Sequence, residues 1–163
     1  MKTLIVYVSM HHGNTKKITK AMAEVLNADI TKLSEAKANI LKHYDLIGFS
    51  SGIYYGKYSE ELLNFIDRLD NQKGKMAFIF STSGIGIIPI INDFNKLLKK
   101  RLLKKGFKII GEFNCRGWGW DTYPLIVKPF GGISKGRPNK KDIENAKGFA
   151  MHLKTLLFFN NKI

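Results

Sequence analysis

Apolar and polar positions fall in alternating blocks along this chain. Leu4-Ile5-Val6-Tyr7-Val8 is an unbroken apolar run rich in β-branched and aromatic residues, and it predicts a buried strand. Residues 16–26 then place Ile18, Ala21, Met22, Val25 and Leu26 on one stripe of a helix. Asp29-Ile30-Thr31-Lys32-Leu33 fits a short edge strand, and Asp45-Leu46-Ile47-Gly48-Phe49-Ser50 a second buried one. Residues 59–69 carry Leu62, Leu63, Phe65, Ile66 and Leu69 at helical spacing, with Glu60 and Glu61 where a helix dipole favours acids. Met76-Ala77-Phe78-Ile79-Phe80-Ser81 is another strand. Pro89 suits the first turn of a third helix, whose stripe is Ile90, Ile91, Phe94, Leu97, Leu98 and Leu102, and Gly106 ends it. Residues 107–113 give a fifth strand, and a last helix from near Pro138-Asn139 carries Ile143, Ala146, Ala150, Leu153 and Leu157.

Strands that alternate with helices imply a parallel sheet covered on both faces. Right-handed crossovers leave few arrangements, and a doubly wound α/β architecture is the expectation. The chain shows no repeat and no linker, so residues 1–163 are read as one domain. Residues 114–135, rich in Gly and Trp, form the one long irregular region, and loops of that length usually serve a function.

Composition changes this picture in one respect. Hydrophobic residues make up 44% of the 163, a normal globular share. No apolar stretch is long enough to span a bilayer, and the amino-terminal pattern is that of a strand and not of a signal peptide, so a cytoplasmic location and no membrane insertion are expected. The single cysteine, Cys115, permits no internal disulfide and reads as a small core residue. The formal net charge of +14 is unusual. It suits solvated lysine-rich surfaces, an acidic protein partner or nucleic acid. The lysines are spread over several helices, which disfavours nucleic acid.

Candidate chemistry collects where strands end. Ser9-Met10-His11-His12-Gly13-Asn14-Thr15 joins the first strand to the first helix. Unpaired backbone N–H groups and the positive end of a helix dipole meet there, with small hydroxyl and amide side chains and a flexible Gly13. The loop is either a phosphate cradle or an ordinary cap with Asn14 or Thr15 as the capping residue. Ser50 to Gly56 and Ser81 to Gly86 are two further small, polar strand ends. In an open α/β sheet all three would line the carboxyl edge where ligands bind. Ile53, Tyr54 and Tyr55 offer flat or apolar side chains for a ring system. Together they suggest a planar heterocycle bearing one phosphate.

The Ser-Met-His-His-Gly-Asn-Thr loop resembles the phosphate loop of flavodoxins, commonly written S/T-x-T-G-N-T, with His12 standing where a threonine is usual. His-His-Gly-Asn-Thr is similar to a variant in flavodoxin-like proteins of archaea and anaerobes. Tyr44-Asp45-Leu46-Ile47-Gly48-Phe49, Ser51-Gly52-Ile53-Tyr54-Tyr55-Gly56 and Gly136-Arg137-Pro138-Asn139 resemble the same branch. The resemblance implies a flavodoxin-like three-layer αβα sandwich, with a five-stranded parallel sheet in the order 2-1-3-4-5. It implies FMN and electron transfer. By that resemblance Ser9, Met10, His11, His12, Gly13, Asn14 and Thr15 hold the phosphate. Ser51, Gly52, Ile53, Tyr54, Tyr55 and Gly56, with Thr82, Ser83 and Gly84, flank the ring, and Trp118 or Trp120 covers it.

A carrier needs no side chain as acid or base, so no catalytic residue is assigned. The chain departs from the family in two ways. Soluble carriers of this kind are usually acidic, and the Gly-Ile-Tyr-Tyr-Gly loop is closer to that of flavin-dependent quinone reductases. The expected function is therefore FMN-dependent electron transfer. The alternatives are an FMN-dependent NAD(P)H or quinone reductase and a cofactor-free basic binding protein on the same fold. An acidic redox partner is expected, with Lys57, Arg116 and Lys128 on the rim, and a monomeric or weakly dimeric chain. His11 and His12 diverge as neighbours in sequence and lack the spacing of a metal site. A Cys-x5-Arg phosphatase loop, a strand-end aspartate for phosphoryl acceptance, a P-loop and a G-x-G-x-x-G fingerprint are all missing.

Overall fold

The computed structural model describes residues 1–10, 12–84, 93–118 and 134–160. Expectations for His11, Pro89, Ile90, Ile91, Gly86, Trp120 and Lys128 lie outside the described residues. In chain order the elements are β1 (Thr3–Val8), α1 (Asn14–Leu26), β2 (Asp29–Lys32), β3 (Leu46–Tyr54), β4 (Lys57–Tyr58), α2 (Glu60–Asp67), β5 (Met76–Ser83), α3 (Asn95–Lys104), β6 (Lys108–Arg116) and α4 (Lys140–Asn160). Two short 3-10 turns, Leu33–Glu35 and Ala38–His43, connect β2 to β3.

The main sheet is parallel in the order β2-β1-β3-β5-β6, and the two-residue β4 pairs antiparallel with β3. Counting the five parallel strands alone reproduces the expected 2-1-3-4-5 order. Side chains alternate across the sheet with period two. Leu4, Val6 and Val8 of β1 enter one core with Leu62 and Ile66 of α2 and with Leu98 and Leu102 of α3. Ile5 enters the other, with Ile18 and Met22 of α1 and Ala146, Ala150 and Leu153 of α4. Among the described residues, two helices on each face make the three-layer αβα sandwich. Gly48 is required by packing: a Cβ there would lie 2.5 Å from Cζ of Phe78 on the adjacent strand.

Strands β3, β5 and β6 all run further than the sequence reading gives them, β5 to Ser83. β3 runs on through Tyr54, so Ser51 to Tyr54 is strand and not loop. It turns back at Tyr55 and Gly56, both at positive φ (50° and 77°), which is a two-residue hairpin turn of the primed kind. β6 runs through Arg116, so the first three residues of the expected irregular region, Asn114 to Arg116, belong to the sheet.

The register aligns the strand ends. Val8 pairs with Ser51, Ser51 with Ser81, and Ser81 with Asn114, giving one row across four strands at the carboxyl edge. The strand order reverses between β1 and β3, and α1 leaves toward one layer while α2 leaves toward the other. A crevice opens at such a switch point.

Candidate functional site

The first loop reaches the switch point by two consecutive left-handed residues, His12 (φ 52°) and Gly13 (φ 65°). Gly13 is the N-cap of α1, and no side chain caps the helix, so the cap is neither Asn14 nor Thr15. Lys17 N–H donates to the Gly13 carbonyl at 2.9 Å, and Lys16 N–H reaches Ser9 Oγ only at 3.4 Å. Apart from that long contact no side chain caps the start of α1, which suits an anion site. Ser9 is half-buried and Met10 is exposed.

Asn14 and Thr15 face inward and tie this loop to two others. Thr15 Oγ1 and Thr82 Oγ1 share a buried hydrogen bond of 2.9 Å. Asn14 Nδ2 donates to the Trp118 carbonyl at 2.8 Å, whereas its Oδ1 is buried without a partner. The Trp118 ring stacks on His12, with centroids 4.1 Å apart and planes 19° from parallel. Trp118 N–H donates to the Arg137 carbonyl at 3.1 Å. Gly117 is needed here, because a Cβ would sit 2.9 Å from Asn14 Nδ2.

The second strand end is the β3–β4 hairpin. Ser51 is fully buried and its hydroxyl is committed within the chain: it donates to the Gly52 carbonyl at 2.6 Å and accepts from Ser59 N–H at 3.0 Å. Tyr54 folds back over Gly52, where a Cβ would meet its hydroxyl at 2.6 Å, and it hydrogen-bonds with the Met10 backbone. Burial raises its pKa, opposed by that backbone contact. Tyr54 thus braces the first loop against the second. Ile53 is half-buried, and Tyr55 at the turn is 82% exposed.

The third strand end is fixed by Asn114, a residue the sequence reading assigned to the irregular region. Asn114 Nδ2 donates to Ser81 Oγ at 2.9 Å and lies 3.2 Å from Ser83 Oγ, so β6 holds the end of β5. The Gly117 N–H donates to the Ser83 carbonyl at 2.9 Å, and Ser134 Oγ donates to the Gly84 carbonyl at 2.9 Å. Behind this end a polar line runs from the buried Tyr58 and Asn95 out to the surface on the α3 side. Tyr58, hydrogen-bonded to Ser81, donates to Asn95 Oδ1 at 2.8 Å; Asn95 Nδ2 donates to Glu112 Oε2 at 3.0 Å; Glu112 pairs with Lys99 at 2.6 Å. Burial first, then the Glu112 and Asp93 charges, push the Tyr58 pKa up, with Ser81 opposing. No local pattern marks these partners, which lie as far as 37 residues apart.

Cys115 is buried beside Asp142 and Arg137, as a core residue. Its thiol is pushed up to about 12 by burial, with the Asp142 charge adding and Arg137 opposing. At α4, Asn139 and Asp142 cap each other reciprocally, at 2.8 and 3.2 Å, and Arg137 pairs with Asp142 at 2.8 Å. The structure thus brings Ser9, Met10, His12, Gly13, Asn14, Thr15, Gly52, Tyr54, Thr82 and Trp118 into one connected edge. Ser51, Ser83 and Gly84 stand behind that edge as support, and Tyr55 and Gly56 project at the hairpin tip. Lys57 and Arg116 are both exposed. Among the described residues, no three His, Cys, Asp or Glu side chains gather as a metal set, and no helix is long and apolar enough to cross a membrane.

A sequence model of the flavodoxin domain matches residues 4–109. An uncharacterised protein of Methanocaldococcus jannaschii is 47% identical over 150 residues, covering 92% of this chain and 96% of that protein. Among solved structures, oxidised flavodoxin 2 from Bacillus cereus superposes with a TM-score of 0.68 at 19% identity, covering 93% and 96% of the two chains. A flavodoxin from the domain Archaea gives 0.66 at 20% identity, covering 93% and 95%. Rubredoxin oxygen:oxidoreductase from Desulfovibrio gigas gives 0.65 at 16% identity, with 96% of this chain matching 37% of that one.

Proposed function

The chain belongs to the flavodoxin family, and from that premise we propose that it binds FMN at the carboxyl edge of β1, β3 and β5 and passes electrons through it. The observation that carries this reading is the junction at Gly13. The N-terminus of α1 is without a side-chain cap, the backbone before it is left-handed at two residues, and the buried Asn14 Oδ1 beside it has no partner. Backbone N–H donors there suit a phosphate, and the orphaned amide oxygen suits a hydroxyl-bearing chain. The residues present therefore fit the group.

In this reading the residues of the first loop, with the Ser9 and Thr15 hydroxyls, hold the phosphate. The His12–Trp118 stack holds that loop against the end of β6. Tyr55, exposed at the hairpin tip, packs on the ring, while Tyr54 braces the hairpin on Met10. Thr82, Ser83 and Gly84 lie on the other side, set in place by Thr15, Asn114 and Ser134. The bound flavin supplies the redox chemistry; the chain supplies position and electrostatics. Lys57 and Arg116 flank this edge, and with the net charge of +14 they suit an acidic redox partner.

The test is the visible spectrum of the purified chain, followed by titration with FMN and with riboflavin. Flavin absorbance and a clear preference for FMN are expected. No binding, or equal affinity for the two, overturns the assignment. Turnover with NADPH and a quinone would move the reading from carrier to reductase.

A further inference from the structure

The opposite edge of the sheet carries a second surface, independent of the flavin reading. Thr3, Leu46, Met76 and Lys108 align in register at the amino ends of β1, β3, β5 and β6. At the β6 corner two tight turns lock together: Gln72 N–H donates to the Lys105 carbonyl at 2.7 Å, Gly74 N–H to the Gly106 carbonyl at 3.0 Å, and Lys108 N–H to the Lys75 carbonyl at 2.9 Å. These turns hold five lysines and one acid, Asp70, within residues 70–75 and 104–108. Lys75 and Lys105 are spent on carbonyls of Leu41, Tyr44 and Leu69. Lys73, Lys104 and Lys108 are exposed and make no ion pair among the described residues.

Exposed apolar side chains stand at the same edge, in both helical layers. Leu103, in the last turn of α3, is 57% exposed. α4 reaches this edge, since Leu157 packs in one cluster with Leu26 at the end of α1 and Leu46 at the start of β3. The next residues, Phe158 and Phe159, are 59% and 62% exposed and meet edge to face at 5.9 Å.

We propose that this amino edge docks on an anionic lipid surface, with Lys73, Lys104 and Lys108 at the headgroup phosphates and with Leu103 from one layer and Phe158 and Phe159 from the other in the interfacial apolar zone. Charge complementarity selects the occupant. A chain of net charge +14 is repelled by a second copy of itself and attracted to an anionic layer. The apolar set is part aliphatic, and its two rings meet edge to face, so it forms no flat platform for bases. An edge that carries unpaired lysines together with exposed apolar side chains at its helix ends instead matches the headgroup and acyl boundary of a bilayer.

The test is sedimentation of the full chain with unilamellar vesicles at low salt. Vesicles of 30 mol% phosphatidylglycerol in phosphatidylcholine are compared with pure phosphatidylcholine. Binding at least tenfold stronger to the anionic vesicles, falling with added salt, is expected. The triple variant K73E/K104E/K108E should lose about 100-fold, at about fivefold per lysine. The variant F158S/F159S, unchanged in charge, should lose about tenfold or more. K135E/K140E/K141E changes the charge equally at the other end of α4 and should stay within about threefold of the parent. Circular dichroism confirms that each variant is folded, and flavin absorbance is read separately. Equal binding to both vesicle types, equal loss in the two lysine triples, or binding to a duplex oligonucleotide and to neither vesicle overturns the proposal.

Discussion

Gly48 and Gly13 are constrained in opposite ways, and alanine at each separates the two. At Gly48 the new Cβ would lie 2.5 Å from the fully buried ring of Phe78, between adjacent strands that cannot part. Gly48→Ala should destabilise the fold by about 1–3 kcal/mol through overpacking, read from urea denaturation. At Gly13 the space is open within 4 Å, and only the left-handed φ of 65° opposes a side chain. Gly13→Ala should cost about 1 kcal/mol of stability and should act chiefly on the loop. Cys115 gives a third test at this scale. Its thiol, raised from 9.0 to about 12, favours the protonated form in the folded state. The stability it contributes is whole below the unfolded value and is lost as pH rises from 9.0 toward about 12. At pH 8 the native thiol should react with a disulfide reagent about a thousandfold more slowly than the denatured one, three pH units being three decades of thiolate. A native rate near that of the denatured chain would remove Cys115 from the core.

In the proposed function the helix that matters for binding is α1. Its dipole and uncapped N–H groups act on charge, so the phosphate should dominate recognition. Ser9→Ala with Thr15→Ala should weaken FMN by about 1–3 kcal/mol in a fluorescence titration, through lost hydrogen bonds to a charged group, and should leave riboflavin nearly unchanged. An equal loss for both ligands would mean that Thr15 acts only through its bond to Thr82. Elements of this kind were legible in the sequence because burial imposes a period. The strand runs at Leu4 and Met76 are continuous, as strands covered on both faces must be, and the helix stripes recur at three and four residues. The β3–β4 hairpin was not legible, because its turn is Tyr55-Gly56 and lacks the Asn-Gly or Asp-Gly signal of a two-residue turn. Asn114 escaped for a different reason. Its partners Ser81 and Ser83 become neighbours only through the pairing of β5 with β6, which no local pattern encodes. The first loop was read either as a phosphate cradle or as an ordinary cap with Asn14 or Thr15 as the capping residue, and the cap is Gly13. Those side chains turn inward instead, because they knit the loop to Thr82 and Trp118.

The charge of the whole molecule acts on encounter more than on redox energy. One charge about 15 Å from the ring contributes about 0.3 kcal/mol in water before screening, and salt removes most of that. In the proposed function hydrogen bonds and stacking near the ring would therefore set the potential, while the summed field reaches outward. Oppositely charged surfaces raise association rates by roughly 10- to 1000-fold at low salt. In the proposed function the carboxyl edge, with Lys57 and Arg116 exposed beside it, meets an acidic partner. The anionic layer proposed for the amino edge would leave that face open, because the two surfaces lie at opposite ends of the same parallel strands. The second-order rate of electron transfer from an acidic reductase should then fall steeply as ionic strength rises. Lys57→Glu with Arg116→Glu should lower the rate at low salt by about tenfold, and the difference should vanish at high salt, where the Debye length is about 3 Å. The triple K73E/K104E/K108E removes more charge, but from the far edge, and should change the rate much less, since steering depends on the charge nearest the contact. A rate that is flat or increasing with salt, or equally sensitive to both sets of substitutions, would end the acidic-partner reading at this edge.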